Sequence, residues 1–316
     1  VRLDLAIALA LIIVAAVGSL RWLDTTSEPL VVLQTAGPLV VLGLLVLAVV
    51  TALLRRWWML LPVGAALVVA AAMAVPAYFS SASPEAKRDL TVMAVNLDLG
   101  RTSAPQVMDA VRARAVDVLV ATEITPDALS QLDEAGLGQW FPKQAGEARP
   151  DDVTGTMVFS RFPLTVVTGQ DPVDQQGYSL QPEVVIDVEG RPLRLKAVHV
   201  AAPLSGDTGR WHAGLRALAG WRDRQPAGEA VLLAGDFNAG SGHPAFRTLA
   251  DGTDEALRIA GLGWVRTWPI VGHRMPPYTQ LDHLLSRGLT VIDAGEVAIH
   301  GTDHAVIWAA YAMSGQ

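Results

Sequence analysis

Several short apolar stretches of this chain run straight into carboxylates, amides and imidazoles. "LTVMAVN" ends in Asn96, "AVDVLVATE" ends in Glu123, and "LRLKAVHV" carries His199 one residue from its end. "AVLLAGDFN" delivers Asp236 and Asn238, and Asp303 and His304 stand immediately before "AVIWAAYA". Carboxylate and amide oxygens suit a hard divalent cation such as Mg2+, which takes one or two protein carboxylates and keeps waters that substrate oxygens replace. Imidazole and amide donors can then neutralise charge that develops on phosphoryl oxygens. The set therefore reads as equipment for handling a phosphoryl group beside a metal.

Taken singly, each residue also has an ordinary structural explanation. Glu123 precedes "ITP", a helix start with Thr125 as cap and Pro126 at the first position. Asp236 and Asn238 are common turn formers, and Asn96 could bond its own turn. His199 could be a satisfied core histidine, and Asp303 with His304 a surface turn. The argument rests on their recurring at one end of each element.

Those elements are strands. From Leu90 onward "LTVMAVN", "AVDVLVATE", "TGTMVFS", "EVVIDV", "LRLKAVHV", "AVLLAGD", "LDHLLS" and "HAVIWAAYA" are short and rich in β-formers. Amphipathic helices are expected at 105–115, 126–135, 209–224 and 254–260, with a short one starting at Pro244. "EVVIDVEGRPLRLKAVHV" reads as a hairpin turning at Glu189 and Gly190. Hairpins mixed with helical crossovers give an α+β layered sandwich rather than a purely parallel sheet.

The first part of the chain is different. Three apolar runs, Leu5 to Leu20, Pro29 to Leu54 and Trp57 to Phe79, read as three transmembrane helices, since a bilayer core needs about 20 apolar residues per helix. The first run could serve as a signal peptide, but two further spans follow it and no small-residue cleavage site follows Leu20. The expected organisation is a membrane domain over 1–80, a polar linker over 81–89 and a catalytic domain over 90–316. Arg55 and Arg56, in the turn between the second and third runs, place that turn in the cytoplasm. The protein is then a multi-pass cell-membrane protein with its catalytic domain extracytoplasmic.

Charge narrows the partners. The whole chain is net −7, with 24 basic and 31 acidic residues. Only four basic residues (Arg2, Arg21, Arg55, Arg56) and three acidic ones (Asp4, Asp24, Glu28) precede residue 85, leaving the remainder net −8. An acidic surface opposes charge-driven nucleic-acid binding. The absence of Cys excludes disulfides and thiolate metal sites.

Seven pieces, "VMAVNLDLGR", "VDVLVATEIT", "GTMVFSRFP", "AVHV", "LLAGDFNA", "LDHLLS" and "GTDHAVI", occur in the order found in the endonuclease/exonuclease/phosphatase superfamily, which the chain resembles over about residues 90 to 312. That superfamily includes deoxyribonuclease-like nucleases, abasic-site endonucleases, neutral sphingomyelinases and inositol polyphosphate 5-phosphatases. The resemblance implies a four-layer α/β/β/α sandwich and a Mg2+-dependent phosphoesterase, with Mn2+ as a possible substitute. By resemblance Glu123 is the principal metal ligand, with Asn96 and Asp303 in or near the coordination shell. Asp236 orients or deprotonates the attacking water, and Asn238 holds a phosphoryl oxygen. His199 and His304 contact the scissile phosphate, and Asp282 pairs with His304. A carboxylate at hydrogen-bond distance favours imidazolium, so this pair would keep His304 a cation.

The sequence departs from the family pattern at Thr122, where Gln is usual, and at Thr302, where Ser is usual. "EARPDDVTGTMVFSRFP" offers Asp151, Asp152 and Thr154 but no clear equivalent of the residue that partners His199 in some nucleases. Neither basic insertion-bearing loops nor an apolar lipid-engaging insertion is evident. His212, His243, His273, His283 and His300 are read as surface or packing residues. The expected substrates are a nucleic acid, a phospholipid or a small phosphodiester, with the lipid bilayer as the other partner and no obligate protein partner. Two alternatives stand beside this reading: a nuclease acting on extracellular DNA or RNA, and a catalytically silent module that holds a phosphorylated ligand.

Overall fold

The computed structural model describes residues 2–150, 153–167, 179–270 and 276–313. Among these, β1 (Leu90–Asn96), β2 (Val118–Thr122), β3 (Lys143–Glu147), β4 (Thr156–Ser160), β11 (Leu289–Val297) and β12 (Val306–Met313) form one sheet in the order β11-β12-β1-β2-β4-β3. The second sheet, β5-β6-β7-β8-β10-β9, is built from β5 (Leu164–Val166), β6 (Glu183–Val188), β7 (Arg191–His199), β8 (Ala230–Asp236), β9 (Asp254–Glu255) and β10 (Asp282–Arg287). β1/β2 and β7/β8 pair in parallel, and the other pairs are antiparallel. The β6–β7 hairpin turns at Glu189 and Gly190, with φ of 52° and 84°, as a two-residue turn of matching twist requires.

Alternation along the strands splits the core into layers. Val92, Ala94, Val120 and Val158 of the first sheet meet Ile186, Leu195, Leu232 and Leu284 of the second. On the outer face of the first sheet, Met93, Leu119 and Phe159 pack against α5 (Ala104–Ala113), α6 (Pro126–Glu134) and α7 (Leu137–Trp140). On the outer face of the second, Val198, Val231 and Leu233 pack against α8 (Thr208–Arg224) and α9 (Pro244–Ala250). The result is the α/β/β/α layering expected from the sequence. The helix expected at 254–260 is shorter, α10 (Ala256–Ile259), because Asp254 and Glu255 pair with β10 as β9.

The N-terminal part is a helical bundle of α1 (Arg2–Ser19), α2 (Glu28–Gln34), α3 (Gly37–Leu53) and α4 (Leu60–Ala74). Two helical stretches, Arg2–Trp22 and Trp57–Tyr78, are long and apolar enough to cross a membrane. The middle run is not the single straight helix expected: α2 and α3 meet at a 64° bend. Pro38 explains the break: it has no N–H to bond the Gln34 carbonyl in a continuous helix, while it suits the first turn of a new one.

α2 instead docks on the sandwich. Val31 is fully buried in the same cluster as Trp211, Leu215 and Phe246. His243 accepts a hydrogen bond from Gly240 N at Nδ1 (3.0 Å) and donates from Nε2 to the Val31 carbonyl (3.1 Å). Burial pushes His243 down to about 4, which keeps it neutral for both bonds. Further contacts run from Glu28 to Gly206 N (3.1 Å), from Ala77 O to Gly263 N (2.8 Å) and from Ile259 O to Ser81 N (2.8 Å). At the far end of the bundle Arg56 pairs with Asp4 at 3.3 Å.

Candidate active site

Parallel pairing of β1 with β2 and of β7 with β8 aligns the C-terminal ends of those strands, and the antiparallel partners β10 and β12 bring their N-terminal ends to the same edge. Asn96, Glu123, His199, Asp236, Asn238, Asp282, Asp303 and His304 therefore gather on one rim of the sandwich. Asp236 faces Asp282 across the β8–β10 register, and His199 faces Asp236 across β7–β8. Gly235 is what permits this approach: its φ is 138°, and a Cβ there would lie 2.1 Å from the Val198 carbonyl oxygen.

Asn96, only 2% exposed, links the two halves of the site. Its Nδ2 donates to Glu123 Oε1 (3.0 Å) and to Asp236 Oδ2 (3.1 Å), while its Oδ1 accepts from Asp98 N (2.9 Å). Thr302 Oγ1 donates to the Asn96 carbonyl (3.0 Å) and accepts from His304 N (3.0 Å), so the threonine found at the usual serine position keeps the hydroxyl bonds. Glu123 sits just past β2 with φ 53°, a left-handed conformation uncommon for a non-glycine residue. Thr125 caps α6 by accepting from Ala128 N at 3.1 Å, so the helix start and the acid both exist there.

On the opposite side His304 donates from Nδ1 to Asp282 Oδ2 (2.8 Å) and turns Nε2 toward Asp236 Oδ2 (3.7 Å). His199 Nε2 lies 3.7 Å from Glu123 Oε1 and 3.9 Å from Asp236 Oδ2. Asn238, at φ 48°, donates from Nδ2 to Val200 O (2.9 Å), and its own N–H reaches Asp236 Oδ1 (2.8 Å). Asp303 Oδ1 is 3.9 Å from His304 Nε2, and Asp303 Oδ2 accepts from Trp268 Nε1 at 2.9 Å.

The electrostatics follow from burial. Burial pushes Glu123 up to about 7, with the Asn96 bond opposing and the Asp236 charge reinforcing the shift. Burial also raises Asp236, against the pull of His304. For His304 burial alone would lower the value, but the Asp282 and Asp236 charges and the Asp282 hydrogen bond outweigh it and lift it to about 10. His304 is therefore an imidazolium at neutral pH.

Among the described residues, no Lys or Arg ion-pairs with Glu123, Asp236 or Asp282. Crowded carboxylates of this kind, one held near neutrality, are the donor set of a cation site, and a bound cation would let them ionise together. Asp236, Asp282 and His304 present ligand atoms within 4.8 Å of one another. That trio shares no residue with the ligands expected from the resemblance, Asn96, Glu123 and Asp303, and His304 could join it only in its unprotonated form.

Two residues that hold the site escaped the sequence reading. Trp268 anchors Asp303, and the Thr267 hydroxyl accepts from Leu281 N (2.9 Å) and Asp282 N (3.3 Å). Neither interrupts a strand, so no local signal marks them. The other described histidines behave as packing or surface residues. His283 is buried between Phe237 and Phe246, His300 is exposed, and His212 meets Asp24 at 2.7 Å. His273, Asp151 and Asp152 lie outside the described residues, and Thr154 is buried.

Comparison with known proteins agrees with this geometry. The chain is 26% identical over 207 residues to the uncharacterized protein YbhP of Escherichia coli, covering 57% of this chain and 79% of that protein. Solved structures with the same fold include TDP2 of D. rerio complexed with a single-strand DNA product (TM-score 0.58, 13% identity, 71% of this chain and 98% of that one). Another is an endonuclease/exonuclease/phosphatase from Beutenbergia cavernae (TM-score 0.53, 19% identity, 72% of each chain). The model of the Endonuclease/Exonuclease/phosphatase family matches residues 93–304, which span the rim from β1 to His304. The chain belongs to that family and is a hydrolase of phosphoester bonds.

Proposed function

We propose that this is a membrane-anchored phosphoesterase that uses Mg2+, with Mn2+ as a substitute, and hydrolyses its substrate by direct attack of water. The observation that carries the reading is the double role of Asp236, bridged to Glu123 by the Asn96 amide on one side and faced by the His304 imidazolium on the other.

Glu123 is the residue we assign to the metal, with the Asn96 and Asp303 side chains beside it. When bound, the cation supplies Lewis-acid polarisation of a phosphoryl oxygen. Asp236 accepts a proton from the attacking water. Asn238 and His199 donate to non-bridging oxygens, where fixed donors stabilise charge that grows in the transition state. His304 is the proton source at the leaving oxygen or its electrostatic stabiliser, and Asp282 holds the imidazole in register. Proton transfer of this kind contributes about 100- to 10,000-fold.

Anchoring is supported by the bundle's surface. Leu5, Ile12, Leu53, Leu61 and Val68 are all more than half exposed, an apolar exterior that water does not tolerate but a bilayer does. We assign three spans, the second being the bent α2–α3 pair or its α3 portion, and an extracytoplasmic sandwich, on the positions of Arg55 and Arg56. The DNA product bound by D. rerio TDP2 keeps a nuclease as the second reading. The net −7 charge argues against it for long duplexes.

The test is a panel assayed with full-length protein in detergent: a p-nitrophenyl monoester and diester, single-stranded DNA and a phospholipid, each with Mg2+, Mn2+ or a chelator. Metal-dependent turnover lost in Glu123→Gln and His304→Gln is expected. Absence of turnover on every member sinks the hydrolytic assignment, and release of the chain from membranes by salt alone sinks the anchoring.

A further inference from the structure

Between the helical bundle and the sandwich lies a cavity of about 770 Å³, within the roughly 300–1,000 Å³ typical of small-molecule sites. Its bundle side is apolar, with Val40, Leu44 and Ala70 contributed by α3 and α4 and further lining from α1. Its other wall comes from the sandwich side, residues 240–243, 263–265 and 278–280 with Arg258. Residues 240–243 follow Asn238 and residues 278–280 precede Asp282, so this part of the cavity wall lies on the same end of the sandwich as the catalytic rim.

Two guanidiniums line this apolar space, Arg21 just past α1 and Arg258 on α10. Neither forms an ion pair with a carboxylate among the described residues, and the Arg21 Nε is buried without a hydrogen-bond partner. Like charges facing an apolar cavity repel, and a buried donor without an acceptor carries an uncompensated desolvation cost. One ligand chemistry answers both features: an anionic oxygen group joined to a long apolar body. A bilayer presents that chemistry at the depth where a span ends and its arginine reaches the interface.

We propose that this cavity binds an anionic membrane phospholipid, its acyl chain between α1, α3 and α4 and its phosphate on Arg21 and Arg258. The lipid would then sit at the joint between the bundle and the sandwich, beside α2. The inference rests on the membrane anchoring proposed above and not on hydrolysis, because it claims binding rather than turnover.

The experiment uses the full chain reconstituted in nanodiscs of phosphatidylcholine with phosphatidylglycerol, then released into detergent for native mass spectrometry. One retained phosphatidylglycerol is expected, favoured over phosphatidylcholine by about tenfold, since each arginine near a phosphate contributes on the order of a several-fold preference. Arg258 is exposed, so Arg258→Gln is structurally mild and lowers the preference several-fold; Arg21→Gln with Arg258→Gln abolishes it. Ala66→Phe, which fills the lining, lowers retention of both lipids. Loss of all lipid from the wild-type chain on release overturns the proposal, as does an unchanged preference in the double variant. A chain that fails to enter nanodiscs at all rejects the anchoring instead, which separates the two failures.

Discussion

His304 hydrogen-bonds Asp282 through Nδ1 at 2.8 Å and leaves Nε2 facing Asp236 at 3.7 Å, so one carboxylate fixes the ring and the other shares its charge. The two acids lift His304 from 6.5 to about 10. The acid form is then available across the neutral range and is lost only as pH rises through about 10. In Asp282→Asn the larger of the two charges that raise His304 is gone, so the alkaline limb of the pH–rate profile moves to lower pH and kcat falls about 100-fold or more, with a smaller change in KM. An alkaline limb at the wild-type position would remove His304 from its assigned role. The linkage has a stability counterpart: the pair's contribution is full below about 6.5 and is lost as pH climbs toward 10.

Glu123 is raised as well, but by burial, which favours its neutral form rather than its charged one. Burial lifts it from 4.5 to about 7, so the metal-free fold binds a proton there that the unfolded chain releases, and its stability drops as pH rises through that window. A cation beside the carboxylate reverses the shift. Magnesium added at pH 7 therefore expels about half a proton from Glu123, measured by titration calorimetry in buffers of different ionisation enthalpy. Glu123→Gln abolishes that release. Binding with the same proton count in the variant would place the metal elsewhere, and the Asp236, Asp282 and His304 trio would be the next site to test.

The joint between bundle and sandwich turns on a close approach at Gly242, where a Cβ would lie 2.0 Å from the Gln34 carbonyl oxygen. Val31, fully buried beside it, contributes about 1.5–3 kcal/mol to the docking of α2. Gly242→Val is expected to lift α2 away and expose residues 23–28 to limited proteolysis. Turnover of a water-soluble diester should persist, because among the described residues no hydrogen bond or ion pair joins Glu123, Asp236, Asp282 or His304 to α2. Unchanged protease resistance would mean that α2 is held by its remaining contacts alone.

The doubly buried strands were readable as apolar runs, and the polar residues at or just past their ends, Asn96, Glu123, His199 and Asp236, signalled a site because they recur at one end of each strand. The four strands that the sequence did not announce, β3, β5, β9 and β11, are the four sheet edges. Edge strands need no continuous apolar run, and the exposed Lys143, Gln144, Gly146 and Glu147 of β3 show why its pattern is silent. The His304–Asp282 pair was legible through family resemblance. The Trp268–Asp303 bond was not, since it joins residues 35 apart through a loop with no periodicity. The docking of α2 was hidden for a related reason: Val31 looks like any other residue of an apolar run until its burial against Trp211 and Phe246 is seen.

Membrane topology can be tested cleanly because the chain has no Cys. Arg21, Glu28 and Ala77 contact the sandwich, while the Arg55–Arg56 turn lies at the other end of the bundle beside Asp4. Single cysteines introduced at Arg55 and at Ser83 should therefore fall on opposite faces of the membrane. In intact cells a membrane-impermeant maleimide is expected to label Ser83→Cys and to reach Arg55→Cys only after permeabilisation, since the arginine turn is held inside by the positive-inside bias. The reverse pattern would place the catalytic rim in the cytoplasm. Labelling of both positions from one side would mean that the stretch between them, Trp57–Tyr78 with α4, does not cross.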